Sequence, residues 1–337
     1  MISRTLLSPR FLLPVLFAPL GLAVFARAQA PGSTPPPKPE LRAFAAAEGR
    51  WAWIKATGDQ SELFLGAPST SGRSRAKGSG WTEAALDGST VWMLARNSRG
   101  GTLMSLPIEG ETPPAEVLQI EDQPGALLAH DGQLYWLELS QAADPGLAFV
   151  PPLGARLRLR CREASGTVRT LMERPAVDGA ALGTGDLVAV AGGQLYLRLH
   201  SASGTELLTV PLAGGAATRI AGESGRHDAV LSNGVLYWTA PSEEAMPESG
   251  IRSLRRLKAE GVPETVADWL PGLGNLAAAD EGLRFAGAGD LYSLPDRLGS
   301  PTFLRKIDWG SVVSDGHSLV ILGTDQPQLL SARSPRP

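Results

Sequence analysis

Between residues 41 and 333 the chain repeats one pattern of polar and apolar positions. An Asp-Gly-type pair is followed by a short apolar run and then by polar loops. The clearest copies are Asp131-Gly132-Gln133-Leu134-Tyr135-Trp136 and Asn233-Gly234-Val235-Leu236-Tyr237-Trp238. Gly192-Gly193-Gln194-Leu195-Tyr196-Leu197 and Asp87-Gly88-Ser89-Thr90-Val91-Trp92 stand beside them. Weaker copies are Glu48-Gly49 with Trp51-Ala52-Trp53, Glu281-Gly282 with Leu283-Arg284-Phe285, and Asp315-Gly316 with Leu319-Val320-Ile321. The apolar triplets end at residues 53, 92, 136, 197, 238, 285 and 321, at intervals of 39, 44, 61, 41, 47 and 36. A period near 40 to 45 residues is that of four-stranded β-propeller blades.

The rest of each period also recurs. A strand A precedes the pair (126–129, 187–191, 229–232), and the pair supplies the positive φ angles of a tight hairpin. Strand B is the Leu-Tyr-Trp run, continuous enough in apolar residues to be buried on both faces. Strand C follows a polar loop (103–107, 207–211, 251–254, 291–295), and strand D closes the period (116–120, 217–220, 265–269, 303–307). The 61-residue interval holds an insertion at 140–155, between strands B and C of the third period. The last period offers 328–331 as strand C and no strand D. The expected fold is all-β, a single β-propeller of about seven four-stranded blades at 41–333, with six blades plus an irregular end as the alternative. Rings of this kind often close by pairing the two chain ends in one blade. Here the segment before Leu41 is proline-rich and a poor ladder partner, so the pattern leaves the closure open.

Composition adds the two ends. Arg4 and Arg10, the apolar run 11–25 and Ala28-Gln29-Ala30 make a signal peptide at 1–30, so the expected location is extracytoplasmic, periplasmic or secreted. A proline-rich linker at 31–40 and a short tail at 334–337 flank the repeat. Removing Arg4, Arg10 and Arg27 leaves 28 basic and 34 acidic groups, a net charge of −6, which argues against a nucleic-acid partner. No membrane span is expected after the signal, and the mature chain is expected to be a monomer. Cys161 is the only cysteine, so no intramolecular disulfide and no cysteine metal site can form; it is expected in a buried strand.

The Leu-Tyr-Trp copies, Leu236-Tyr237-Trp238-Thr239 above all, resemble the YWTD-type repeats of propellers related to the LDL-receptor module. The whole repeat resembles the exported bacterial TolB-like propellers. The Thr-Asp ending is missing, since Ala240 follows Thr239 and Leu137-Glu138 follows Trp136. What the resemblance implies is a protein- or ligand-binding scaffold.

No catalytic motif stands out. His130, His200, His227 and His317 are not paired at metal-ligand spacing, and surface or turn-satisfying roles are expected for them. Gly78-Ser79-Gly80 lacks the frame of a nucleophile elbow. Trp92, Trp136 and Trp238 occupy equal repeat positions and are expected in the core. Trp81, Trp269 and Trp309 precede new blades and are expected to pack between them. The leading functional expectation is a non-catalytic binding or scaffold protein with no cofactor. The alternative is a propeller hydrolase or lyase, with polar groups gathered from different blades at the mouth of the central channel. In a four-stranded meander the B–C and D–A loops share one face, and here those loops are the long ones; long loops on a rigid frame are where binding residues concentrate. Candidates on that face are Asp144, Phe149, Arg226, His227, Glu243 and Glu244.

Overall fold

The computed structural model describes residues 38–47, 49–67, 70, 72–140, 154–176, 185–201, 204–225, 227–245, 250–258, 261–270, 274–279, 282–294, 299–307, 311–314, 319–322 and 327–330. These residues belong to one compact unit. The signal segment, linker residues 31–37, Trp309, His317, the Asp315-Gly316 pair and the tail lie outside the described residues.

The described residues form strands and turns, with no helix among them. The strands make seven antiparallel sheets, spanning 40–79, 81–120, 123–175, 185–223, 229–270, 274–306 and 311–330. Six are four-stranded meanders and the seventh has three strands. This is the seven-bladed β-propeller that the period implies.

The A–B turns explain the repeat. His130 pairs with Gln133 around Asp131 (φ 49°) and Gly132 (φ 72°), and Ser232 pairs with Val235 around Asn233 (φ 49°) and Gly234 (φ 76°). Two successive positive φ angles match the twist of the flanking strands, and Asn, Asp and Gly adopt them at least cost. In blade 2 the pattern slips by one residue. Asp87 pairs with Thr90, and the turn is Gly88-Ser89.

Seven apolar clusters hold the blades together, one between each neighbouring pair. Ile54 and Val91 belong to the cluster between blades 1 and 2, and Leu103 and Trp136 to that between blades 2 and 3. Leu159 and Leu195 meet between blades 3 and 4, Leu207 and Trp238 between 4 and 5, Leu254 and Phe285 between 5 and 6, and Ala277 and Val312 between 6 and 7. The seventh cluster joins Val320 of blade 7 to Trp51 and Trp53 of blade 1. Blade 1 takes all four of its strands from consecutive segments, so among the described residues the ring closes by side-chain packing, with no shared ladder. Gly72 makes room for this: a Cβ there would lie 1.7 Å from the Trp53 ring, which stacks on Phe64 at 5.6 Å.

Trp81, Trp136, Trp238 and Cys161 are buried as expected. Trp269 is 56% exposed at the outer edge of blade 5, because a positive φ of 65° at this residue turns it out while Leu270 takes the buried place. Trp92 is half-buried, with the Arg162 guanidinium over its ring at 5.4 Å.

Candidate functional site

Strand A runs from the loop face towards the A–B turns, so the first residues of strands A and C and the last residues of strands B and D all lie at the loop face. Polar side chains gather there around blades 4 and 5.

Asp186, on strand A of blade 4 (Gly185–Ala191), pairs in register with Arg198 on strand B (Gln194–Ser201). Arg198 Nε donates to Asp186 Oδ2 at 2.8 Å, and its Nη1 donates to Asp228 Oδ1. Asp228 ends the loop that joins blades 4 and 5 and is buried. Its Oδ1 accepts the Ala229 N–H at 2.9 Å, and its Oδ2 accepts the Leu276 N–H of blade 6 at 2.6 Å. A single run of charge-assisted bonds thus ties blades 4, 5 and 6.

Blade 2 carries a similar strut. Arg96 lies 3.3 Å from Glu83, and the Ala126 N–H of blade 3 donates to the same carboxylate. Ala126 is the bulged residue of its strand, at φ 46°, and is skipped in the pairing with strand B. The bulge therefore frees the N–H that Glu83 accepts. Burial is the largest influence on Glu83 and pushes its pKa up to about 7, against the pull of Arg96; the charge of Asp186 adds to the rise. Asp186 thus acts on a carboxylate two blades away across the channel mouth. Burial also works upward on Asp186, but His200 and Arg198 outweigh it and hold its pKa down at about 2. Both side chains keep water contact, at 30% exposed for Glu83 and 42% for Asp186.

Two histidines stand behind this rim, and both are buried, His200 at 6% exposed and His227 at 4%. That burial corrects the surface role for both, while the turn-satisfying role also expected of them fits His227, whose Nε2 meets the Ser224 carbonyl of its own loop. Thr205 sets the orientation of the His200 ring. Its hydroxyl donates to the Gly225 carbonyl at 2.8 Å and accepts the His227 N–H at 3.0 Å, so His200 Nδ1–H donates to it at 2.8 Å. His200 Nε2 faces Asp186 Oδ2 at 3.8 Å, an ion-pair distance too long for a hydrogen bond. Ser61 holds the equivalent place to Thr205 in blade 1, where it accepts the Trp81 N–H at 3.2 Å. This hydroxyl is therefore part of the repeat's own joinery, whereas His200 is particular to blade 4. Beside His200 a cleft of about 360 Å³ opens between blades 3 and 4, lined by Leu157, Arg174, Leu199, Thr205, Glu206 and Glu223 among others.

Of the residues expected on this face, Asp144, Phe149 and Arg226 lie outside the described residues, as does insertion segment 141–153. The base of that insertion is tight: Ser140 N–H donates to the Arg156 carbonyl at 2.9 Å, and Ser140 Oγ accepts the Arg156 N–H at 2.8 Å. Glu243 is exposed and paired with Arg255 at 2.7 Å, and Glu244 is exposed beside it. Arg255 also meets Glu223 at 3.1 Å. Sequence reasoning missed Glu83, Asp186, Arg198, Asp228 and Arg252. A signal was present. Counted from the A–B turn, the fifth residue of strand B is Ile54, Leu94 and Leu137 in blades 1 to 3, but Arg198 in blade 4. The seventh is Ala56, Leu139 and Pro241 in blades 1, 3 and 5, but Arg96 in blade 2 and His200 in blade 4.

Among the described residues no group of three or more His, Cys, Asp or Glu side chains is placed to hold a metal ion, and no helix is long and apolar enough to cross a membrane.

No family model matches the sequence, and no curated protein matches it. Solved structures do match in fold. One is an oligogalacturonate lyase from Vibrio parahaemolyticus, with a TM-score of 0.62 and 12% identity over 87% of this chain and 90% of that one. A second is the β-propeller domain of the trilobed protease from Pyrococcus furiosus, described as having an open velcro topology, with a TM-score of 0.54 and 11% identity over 89% and 99%. A third is an acylaminoacyl peptidase from Pyrococcus horikoshii, with a TM-score of 0.57 and 10% identity over 87% of this chain. The present chain spans about half of that peptidase, 52% of its length. At these identities the likeness is one of fold alone.

Proposed function

We propose that this chain is an extracytoplasmic binding or scaffold protein, acting as a monomer, and that its protein or small-molecule partner docks on the face of the B–C and D–A loops. The observation that carries the reading is the strut from Asp186 through Arg198 and Asp228 to the Leu276 N–H, which fixes the loop bases of three blades relative to one another. A rigid frame beneath long loops lowers the ordering cost of recognition. The opposite face carries two-residue A–B turns in blades 2 to 5, which leave little to recognise with. The test is to shorten segments 141–153 and 243–249 to tight turns and measure partner capture alongside melting temperature. Lost capture in a folded variant supports the face, and unchanged capture rules it out.

One observation favours a second reading, a hydrolase or lyase. His200, braced by Thr205, faces Asp186 at the rim of a cleft, which is the geometry of an oriented acid–base group. Turnover of ester, peptide or polysaccharide substrates that disappears in His200→Asn would establish this reading. The likeness to a lyase and to part of a peptidase favours neither reading.

A further inference from the structure

The loop joining blades 4 and 5 and the first residue of strand C in blade 5 (Arg252–Leu257) bring two nitrogen donors together, and among the described residues the guanidinium finds no carboxylate. Thr239 Oγ1 accepts the Asp228 N–H at 3.0 Å and lies 3.5 Å from His227 Nδ1, while His227 Nε2 meets a carbonyl oxygen, which can only accept. His227 then carries its proton on Nε2, which donates to the Ser224 carbonyl. Arg252 Nη1 lies 3.2 Å from the same Nε2. Two N–H groups face each other there, and no hydrogen bond joins them. Arg252 Nε is buried without an acceptor. No carboxylate among the described residues pairs with this guanidinium.

The surrounding charges do not supply the missing acceptor. Asp228 is committed to Arg198 and the Leu276 N–H, and Glu223 and Glu243 are committed to Arg255. Arg198 donates to the His227 carbonyl at 3.3 Å. Burial, and after it the cationic Arg252 and Arg255, hold the His227 imidazole neutral down to about pH 4. Gly225, at φ 79°, leaves the flank of Arg252 open: a Cβ there would lie 3.8 Å from both terminal nitrogens.

A half-buried guanidinium without a counter-ion is completed by an anion, and its planar fork suits a two-oxygen group. We propose that Arg252 and His227 form an oxyanion site that takes a carboxylate or phosphate group of the ligand. The proposal rests on the loop face being the binding face, and it names the chemistry read there.

The experiment follows His227 by imidazole NMR in the mature wild-type protein. Sodium acetate and inorganic phosphate are added separately, against chloride at equal ionic strength. A bound oxyanion stabilises the imidazolium and raises the His227 pKa by roughly 1 to 3 units, the usual effect of a close opposite charge. Arg252→Gln abolishes the shift, and Arg252→Lys keeps part of it. A response to acetate alone assigns a carboxylate, to phosphate alone a phosphate ester, and to both a general oxyanion site. No shift with either anion in the folded wild type overturns the site, whatever the variants do. The two readings fail separately. A silent His227 with capture lost on loop shortening leaves the face standing without the site. A responsive His227 with capture retained leaves the site standing without the face.

Discussion

Glu83→Gln gives the sharpest test of the channel-mouth electrostatics. Burial raises the Glu83 pKa from 4.5 to about 7 in the folded chain. The folded state therefore binds a proton that the unfolded state has already released, and this holds only between about pH 4.5 and 7. Stability contributed by the protonated form is fully present below about pH 4.5 and is lost as pH rises through about 7. A shift of about 2.5 units corresponds to ~3 kcal/mol, and residual water contact brings the expected loss nearer to ~2 kcal/mol. His227 works in the opposite sense. Its pKa falls from 6.5 to about 4, so its contribution is lost as pH falls through that window. The two slopes oppose each other in the wild type, and the variant must be read as a difference. Glutamine keeps the size and polarity of the side chain and removes the titration. Arg96 has an ionised partner only above about pH 7, and that dependence is already contained in the Glu83 pKa, so it adds no separate slope. Urea denaturation followed by tryptophan fluorescence, at half-unit steps from about pH 4.5 to 8, gives the stability of variant minus wild type. That difference should climb by ~2 kcal/mol with rising pH and level off above about pH 7. A flat difference over this range would show that burial does not raise the Glu83 pKa.

Three further outcomes are expected. Trp136→Ala should cost ~3–5 kcal/mol in denaturant midpoint, because a fully buried indole leaves a cavity and takes its N–H from Glu138, which it meets at 2.7 Å. Gly72→Ala should cost ~1–3 kcal/mol by displacing the Trp53 ring from the blade 1–7 contact, visible as a loss of near-ultraviolet circular dichroism; an unchanged melting temperature would mean that this cluster does not hold the ring. N-terminal sequencing of exported material should begin at Pro31, and recovery of Met1 would contradict the signal-peptide reading.

The blades were legible because each is built locally. Turn pairs such as Asn233-Gly234 need positive φ, and the buried runs beside them need continuous apolar residues, so backbone and packing both leave marks at a fixed period. The ring closure was not legible, since Val320 reaches Trp51 and Trp53 through side-chain packing between opposite ends of the repeat. The candidate site was hidden for the same reason. Glu83 finds the Ala126 N–H and Asp228 finds the Leu276 N–H, each in the next blade. His227 was picked out from its loop, but its burial depends on Thr205 and Thr239 in separate blades. Arg198 and His200 could have been noticed as charged and polar breaks in an otherwise apolar strand B. The exposed Trp269 could not, because its outward turn rests on a positive φ of 65° at a tryptophan, a residue type that does not signal that conformation.

The most direct measurement of the binding-face claim is site-specific photo-cross-linking in the native envelope or culture medium. One probe replaces Glu243 on the loop face, and a second replaces Glu109, exposed in the C–D turn of blade 2 on the opposite face. The account predicts a discrete covalent adduct, protein or small molecule, from position 243 and none from position 109. An adduct from position 109 alone, or the same adduct from both positions, would contradict it.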